Sequence, residues 1–175
     1  LQNADGLLSV SQFTANLTNE VFGLNKNFTI IPNSIDANLF KLSKKEKAND
    51  TILYFGSLIR KKGLLELPLS FNSVIHSNPM AKLILVGKDV PDIVSGNTST
   101  WQMMQSMFTK EAIQKVTYLG SVPYDEIQNQ IKQATVCVFP SFAEALPVSW
   151  LEAMAMQKAV VASNIGWANE IIEDG

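Results

Sequence analysis

The stretch TVCVFPSFAEALPVSWLEAMAMQKAVVAS, residues 135–163, decides how the chain is read. It begins and ends on short apolar blocks, TVCVFPS and KAVVAS, whose lengths suit strands rather than helices. Between them PVSWLEAMAM, residues 147–156, is rich in good helix formers. Its Pro147 suits the first turn, where a missing N–H breaks no helical bond. Both strand blocks are continuous rather than alternating, as in a parallel sheet covered on both faces. Two carboxylates stand out: Glu144 in the loop before the helix and Glu152 inside it.

The same alternation runs outward from this unit. GLLSVS, FTIIP, TILYFGS, AKLILVG and KVTYLG read as further strands. Helical character falls at about 11–22, 63–77, 100–113, 123–133 and 167–173. Strand alternating with helix predicts an α/β fold, a Rossmann-like parallel sheet with helices on both faces. KLSKKEKAND, residues 41–50, is polar and lysine-rich with no apolar period, which is linker composition. The expected division is a remnant of a preceding domain over 1–40, a linker over 41–50, and a binding domain over 51–175. EIIEDG ends the sequence at a helix stop with no closing strand, so that domain is expected to be incomplete at its C-terminus.

Composition narrows the function. The chain has 175 residues, 46% hydrophobic and 17% charged, and a net charge of −2. It carries no basic excess of the kind a nucleic-acid binder uses. The single cysteine, Cys137, excludes an internal disulfide and reads as a buried thiol, and His76 is the only histidine. No run approaches the ~20 apolar residues of a membrane helix.

In an open parallel sheet, ligands bind outside the carboxyl ends of the strands. After TILYFGS comes LIRKKG, where Arg60, Lys61 and Lys62 precede Gly63 at an expected helix start. Basic side chains beside free helix-end amides make an anion site. After TVCVFPS come Glu144 and the helix carrying Glu152. Eight residues apart, the two acids are too distant to meet one atom, but they can hold two ends of an extended ligand. Hydroxyls would suit the acids and phosphates the lysines. Read as residues alone, Glu144 serves equally as a helix-capping acid and Glu152 as a surface position.

FAEALPVSWLEAMAMQKAVVAS resembles the E-x7-E signature of the retaining glycosyltransferases of family 4, which have the GT-B fold. IIPNSIDANLF resembles the family's crossover segment and FGSLIRKKG its G-R-L-x-x-x-K-G block. AKLILVG, VTYLGSVP, VCVFPS and NIGWANEIIEDG resemble its later blocks in order. The resemblance implies the C-terminal, donor-binding half of a GT-B fold and a nucleotide-sugar donor, such as a UDP- or GDP-hexose, bound without a required metal. It makes Glu144 the catalytic-site acid on the donor sugar and Glu152 the acid on the ribose. Lys62 matches the diphosphate lysine, with Arg60 and Ser57 beside it. Ser121 and Val122 fall at the base, and Leu146 and Val148 are further donor-binding positions.

The chain departs from the pattern at several positions. Ser57 replaces an arginine, so Lys62, aided by Arg60 or Lys61, must carry more of the charge. Pro147 and Ser34 replace glycines. Gln157 replaces the helix-ending glycine, where a left-handed glutamine is mildly strained. Trp167 replaces the second glycine of a pair and brings bulk to the sugar end.

The resemblance further implies a sugar or lipid-linked acceptor held mostly by an N-terminal domain, a role in polysaccharide biosynthesis, and a cytoplasmic location with peripheral membrane contact through that domain. The fragment is expected to bind donor without turnover. Its first forty residues are expected to be mobile, to pack on the rest of the chain, or to form a dimer contact. An oxidoreductase's dinucleotide-binding domain would need G-x-G-x-x-G after its first strand, which is absent here. A non-catalytic binding domain on the same fold is the other alternative.

Overall fold

The computed structural model describes residues 3–41 and 49–173. Near the N-terminus, β1 (Leu8–Ser9) and β2 (Thr29–Ile30) pair in parallel around α1 (Gln12–Val21). They are shorter than their apolar blocks, and no other described strand extends this pair. Ser11 caps α1, its hydroxyl accepting from the Thr14 amide. Residues 42–48, most of the expected linker, lie outside the described residues.

The main sheet holds β3 (Thr51–Phe55), β4 (Lys82–Val86), β5 (Val116–Tyr118), β6 (Val136–Phe139) and β7 (Ala159–Ala162). All pairings are parallel, in the order β5-β4-β3-β6-β7. The chain steps outward from β3 through β4 to β5, then returns to β6 on the other side of β3. That reversal makes the carboxyl ends of β3 and β6 the topological switch point.

Helices cover both faces. Ile52, Val136 and Val138 line a cavity together with Leu67, Phe71 and Val74 of α2 (Leu67–Ser77). On the opposite face Phe139 stacks on Trp150 of α6 (Val148–Ala155), ring centroids 6.1 Å apart. Leu53, Leu83, Leu85 and Cys137 are fully buried. Each such leucine contributes roughly 1.5–3 kcal/mol relative to exposure. Burial pushes the Cys137 thiol up to about 12, so it is an inert core group. At the edge, Val161 of β7 is 60% exposed, so β7 lacks the two-sided cover its apolar run suggested.

Three expected helices differ in detail. Residues 60–62 form a 3-10 turn closed by Gly63 at φ +69°, and α2 begins only at Leu67. The segment 100–113 breaks at an extended Phe108 into α3 (Thr100–Met107) and α4 (Lys110–Ile113), because the Thr109 hydroxyl caps the second piece by accepting from the Ala112 amide. The segment 167–173 is only a 3-10 turn at Ala168–Glu170. A further 3-10 turn at Tyr124–Glu126 leads into α5 (Ile127–Gln133). Lys158 closes α5, donating to the carbonyls of Lys132 (2.6 Å) and Ala134 (2.9 Å).

The N-terminal residues pack on the rest of the chain. Both oxygens of Glu170 accept from the first amides of α1, Gln12 (3.0 Å) and Phe13 (2.8 Å). This carboxylate sits at a positive helix end. The Phe13 ring lies over Gly166, where any Cβ would collide with it. Phe40 is buried in the core of the larger unit.

Candidate functional site

An open cleft of about 500 Å³ lies at the β3–β6 switch point. Ser57, Lys62, Ser121, Val122, Glu144, Leu146, Val148 and Glu152 all line it. The structure therefore brings together every site residue singled out in the sequence except Arg60 and Lys61. The Arg60 guanidinium instead grips Asp92 with two hydrogen bonds, Nε to Oδ1 at 2.8 Å and Nη2 to Oδ2 at 2.6 Å. Asp92 is buried and is held well below the usual carboxylate range, first by Arg60 and then by Ser95. Arg60 thus braces the loop after β4 and does not face the cleft.

Two close backbone approaches hold the part of the cleft that carries Lys62 and Glu144. Gly63 is left-handed, and a Cβ there would lie 1.8 Å from the Pro140 carbonyl oxygen. The Lys61 carbonyl accepts from the Phe142 amide at 2.9 Å. The loops after β3 and β6 are therefore joined, which puts Lys62 Nζ 3.3 Å from Glu144 Oε1. Beneath them Tyr54 donates to the Ser57 carbonyl at 2.9 Å. Burial, with the Glu144 charge adding to it, drives the Tyr54 phenol far above its ordinary range, so it stays neutral.

Glu144 does not cap the helix that follows. Ser141 Oγ donates to its Oε1 at 3.4 Å. Trp167 Nε1 donates to its backbone carbonyl at 2.6 Å, and Trp167 is itself packed on Trp150 at 4.7 Å between centroids. The tryptophan in place of a glycine is therefore a strut for the Glu144 loop. Pro147 occupies the N-cap of α6, one position earlier than expected, with ψ 130°. It offers no side-chain cap, which leaves the first-turn amides of Val148 and Ser149, two residues that line the cleft, without a capping partner. Asn33 Nδ2 donates to the Leu146 carbonyl at 2.6 Å, tying the crossover segment to the same loop.

At the other end Glu152 is 4% exposed, so it is no surface position. Tyr124 donates to its Oε1 at 2.7 Å. Burial raises the Glu152 carboxyl above its ordinary value, and the Tyr124 hydrogen bond opposes that. Tyr124 is pushed up to about 12, first by desolvation and then by Glu152. Tyr124 and Lys88 line the cleft and were missed in the sequence. A lysine after a strand carries no pattern, and the partner of Tyr124 lies 28 residues away.

The cleft thus offers a cation and free helix-end amides between two acids, an arrangement for an anion flanked by hydroxyl-bearing groups. Among the described residues no three His, Cys, Asp or Glu side chains converge as a metal site. No described helix is long and apolar enough to cross a membrane.

Comparison with known proteins matches this architecture. The chain is 31% identical over 127 residues to an alpha-maltose-1-phosphate synthase of Mycolicibacterium smegmatis, covering 71% of this chain and 31% of that protein. It is 25% identical over 179 residues to a glycogen synthase of Mycobacterium tuberculosis, covering all of this chain and 41% of that one. The crystal structure of Anabaena HepE in complex with UDP and glucose superposes with a TM-score of 0.77 at 24% identity, over 98% of this chain and 48% of that one. The chain spans less than half the length of these relatives. The fold is that of GT-B glycosyltransferase C-terminal domains. Residues 34–175 match the sequence model of the glycosyl transferases group 1, and the chain belongs to that family.

Proposed function

We propose that the cleft binds a nucleoside diphosphate sugar and that this chain is the donor-binding part of a transferase. The observation that carries the reading is the placement of Lys62, Glu144 and Glu152 along one cleft at the switch point. The diphosphate lies against Lys62, the Ser57 backbone and the α6 amides. The ribose hydroxyls donate to Glu152, the sugar lies at Glu144 and Leu146, and the base at Ser121 and Val122. The HepE complex holds UDP and glucose on the same fold, which supports this choice of ligand. A dinucleotide-binding reading has neither the glycine fingerprint nor the family in its favour.

In the full-length protein the reaction is transfer of a hexose to an acceptor hydroxyl, with retention at the anomeric carbon and no required metal. The residue matches in E-x7-E support retention, and anomeric analysis of the product by NMR tests it. The acceptor, a sugar or lipid-linked sugar in polysaccharide assembly, sits mainly on a domain beyond residues 1–40, which are its remnant. Leu8, Val21 and Phe22, each at least 65% exposed, support a further partner on that face, either that domain or a second copy of the chain. We place the protein in the cytoplasm, with membrane contact peripheral.

Calorimetric titration with UDP, GDP and ADP, alone and as hexose conjugates, with and without EDTA, tests the binding reading. One diphosphate binds, unaffected by chelator, and Glu152→Gln weakens it about tenfold or more, the value of a charged hydrogen bond. No binding by any of the three overturns the proposal.

A further inference from the structure

The charged side chains that line the cleft are Lys62 and Lys88 against Glu144 and Glu152. Lys62 is already paired with Glu144 at 3.3 Å. Lys88 is exposed and, among the described residues, has neither an ion pair nor a side-chain hydrogen bond. Its neighbour Asp89 does not neutralise it. The Asp89 carboxylate accepts from the Ser99 hydroxyl at 2.5 Å and the Trp101 amide at 3.0 Å, at the start of α3. Lys88 is also fixed in place by its backbone. β4 lies between β5 and β3 in the sheet. Just past its end the Gly87 amide donates to the Gly120 carbonyl at 2.8 Å, and the Leu58 amide donates to the Lys88 carbonyl at 2.8 Å. Lys88 is therefore anchored between the loop that carries Ser57 and the loop that carries Ser121 and Val122, about one strand spacing, roughly 4.8 Å, from each.

We propose that Lys88 is the cation for the inner phosphate of the ligand, the one esterified to the ribose, while Lys62 meets the outer phosphate beside the sugar. This rests on the reading that the cleft takes a nucleoside diphosphate sugar with its base at Ser121 and Val122. Along the sheet the cleft runs from those two residues after β5, to Lys88 after β4, to Lys62 and Glu144 after β3 and β6. A ligand laid in that direction passes its inner phosphate between the base and the outer phosphate, which is where Lys88 stands. Charge points the same way. Without Lys88 the two acids would outnumber the single lysine, and the lining would repel a phosphate. An ammonium binds phosphate as a compact point charge on a flexible stem. Lys88 would exchange only water for that contact, whereas Lys62 must leave Glu144.

The test takes the nucleoside diphosphate among UDP, GDP and ADP that binds tightest, with its 5′-monophosphate and its free nucleoside. They are titrated into the wild-type chain, Lys88→Ala, Lys88→Gln and Lys61→Ala. Lys88→Ala should weaken the monophosphate and the diphosphate about tenfold each, the value of a charged hydrogen bond, and the nucleoside by less than about twofold. Lys88→Gln keeps most of the stem without the charge and should show the same pattern. Lys61→Ala removes an equal charge from the 3-10 turn outside the cleft lining and should leave all three ligands within about twofold. A loss on the diphosphate alone would put Lys88 on the outer phosphate. An equal loss on the nucleoside would put it on the base or ribose, and no loss on either phosphate ligand would make it an ordinary surface lysine. A loss as large in Lys61→Ala would make the effect one of general charge. Each of these four overturns the proposal. If none of the diphosphates binds the wild type, the nucleotide reading itself fails, an outcome distinct from a diphosphate that binds and ignores Lys88.

Discussion

Lys62 Nζ and Glu144 Oε1 lie 3.3 Å apart across two loops that leave different strands. The pair is partly exposed, so its own contribution to stability is small, on the order of 0.2–1 kcal/mol. Its consequence is for ligands. Under the proposed reading, an incoming diphosphate would compete with Glu144 for the lysine, and a sugar beyond it would meet the released carboxylate.

Lys62→Ala should therefore weaken nucleoside diphosphates about tenfold or more, while free nucleosides change by less than about twofold. Raising salt should weaken diphosphate binding to the wild type more than to the variant, since screening acts on the charge contact. Isothermal titration at two ionic strengths measures both. Equal losses for nucleoside and diphosphate would show that Lys62 does not meet phosphate.

Glu144→Gln should act in the opposite direction on the sugar-free ligand. It removes the competing charge, so the diphosphate should bind about two- to fivefold tighter, the value of an exposed ion pair. The sugar conjugate loses its acceptor on the carboxylate and gains less. The affinity ratio of conjugate to diphosphate should fall, and a ratio that stays constant would remove Glu144 from the sugar.

Arg60→Ala should leave nucleotide affinity within about twofold of wild type while lowering Tm. Asp92 is 2% exposed and would lose the guanidinium that holds it through two hydrogen bonds. The loop after β4 should then exchange its amides faster. A large fall in affinity with unchanged Tm would return Arg60 to the ligand.

The contrast between Lys62 and Arg60 shows what the sequence could reveal. Continuous apolar blocks announced β3, β4 and β6, because central parallel strands need cover on both faces. The helix carrying Glu152 followed from its composition. Which of two nearby cations faces the cleft depends on a 3-10 turn and on Asp92, 32 residues away, and neither is written in the local pattern. Tyr124 was unreadable for the same reason: its meaning comes from Glu152 across the switch point. Trp167 was visible as a departure from the family pattern, but its role as a strut for Glu144 needed the fold. The break at Phe108 was hidden because the helical pattern runs through it, while the Thr109 cap restarts the helix.

Glu152→Gln should stabilise the unliganded chain at neutral pH while weakening the ligand. The carboxyl is buried and its folded value is raised above the ordinary one. An acid of this kind contributes stability that is present below its unfolded value, about 4.3, and is lost as pH rises through the raised folded value. Glutamine carries no such dependence and still accepts from Tyr124. The Tm difference, variant minus wild type, should be near zero in acid and grow positive toward pH 7. A variant less stable at pH 7 than at pH 4, relative to wild type, would mean that the charge is favourable in the fold.

Gln157→Gly tests how far the end of α6 can be improved without touching the cleft. Gln157 has φ +55° and occupies the position after the Met156 C-cap. Its amide donates to Met154 at 2.8 Å and that of Lys158 to Ala153 at 3.0 Å. These two bonds make a Schellman ending, for which glycine is the preferred left-handed residue. A Cβ in that conformation costs about 1 kcal/mol, which glycine removes. Gln157 does not line the cleft, so the variant should gain about 1 kcal/mol in urea unfolding with no change in the m-value or in nucleotide affinity. A stability loss would mean that the glutamine side chain makes a compensating contact, and a change in affinity would mean that the register of α6, and with it Glu152, depends on this ending.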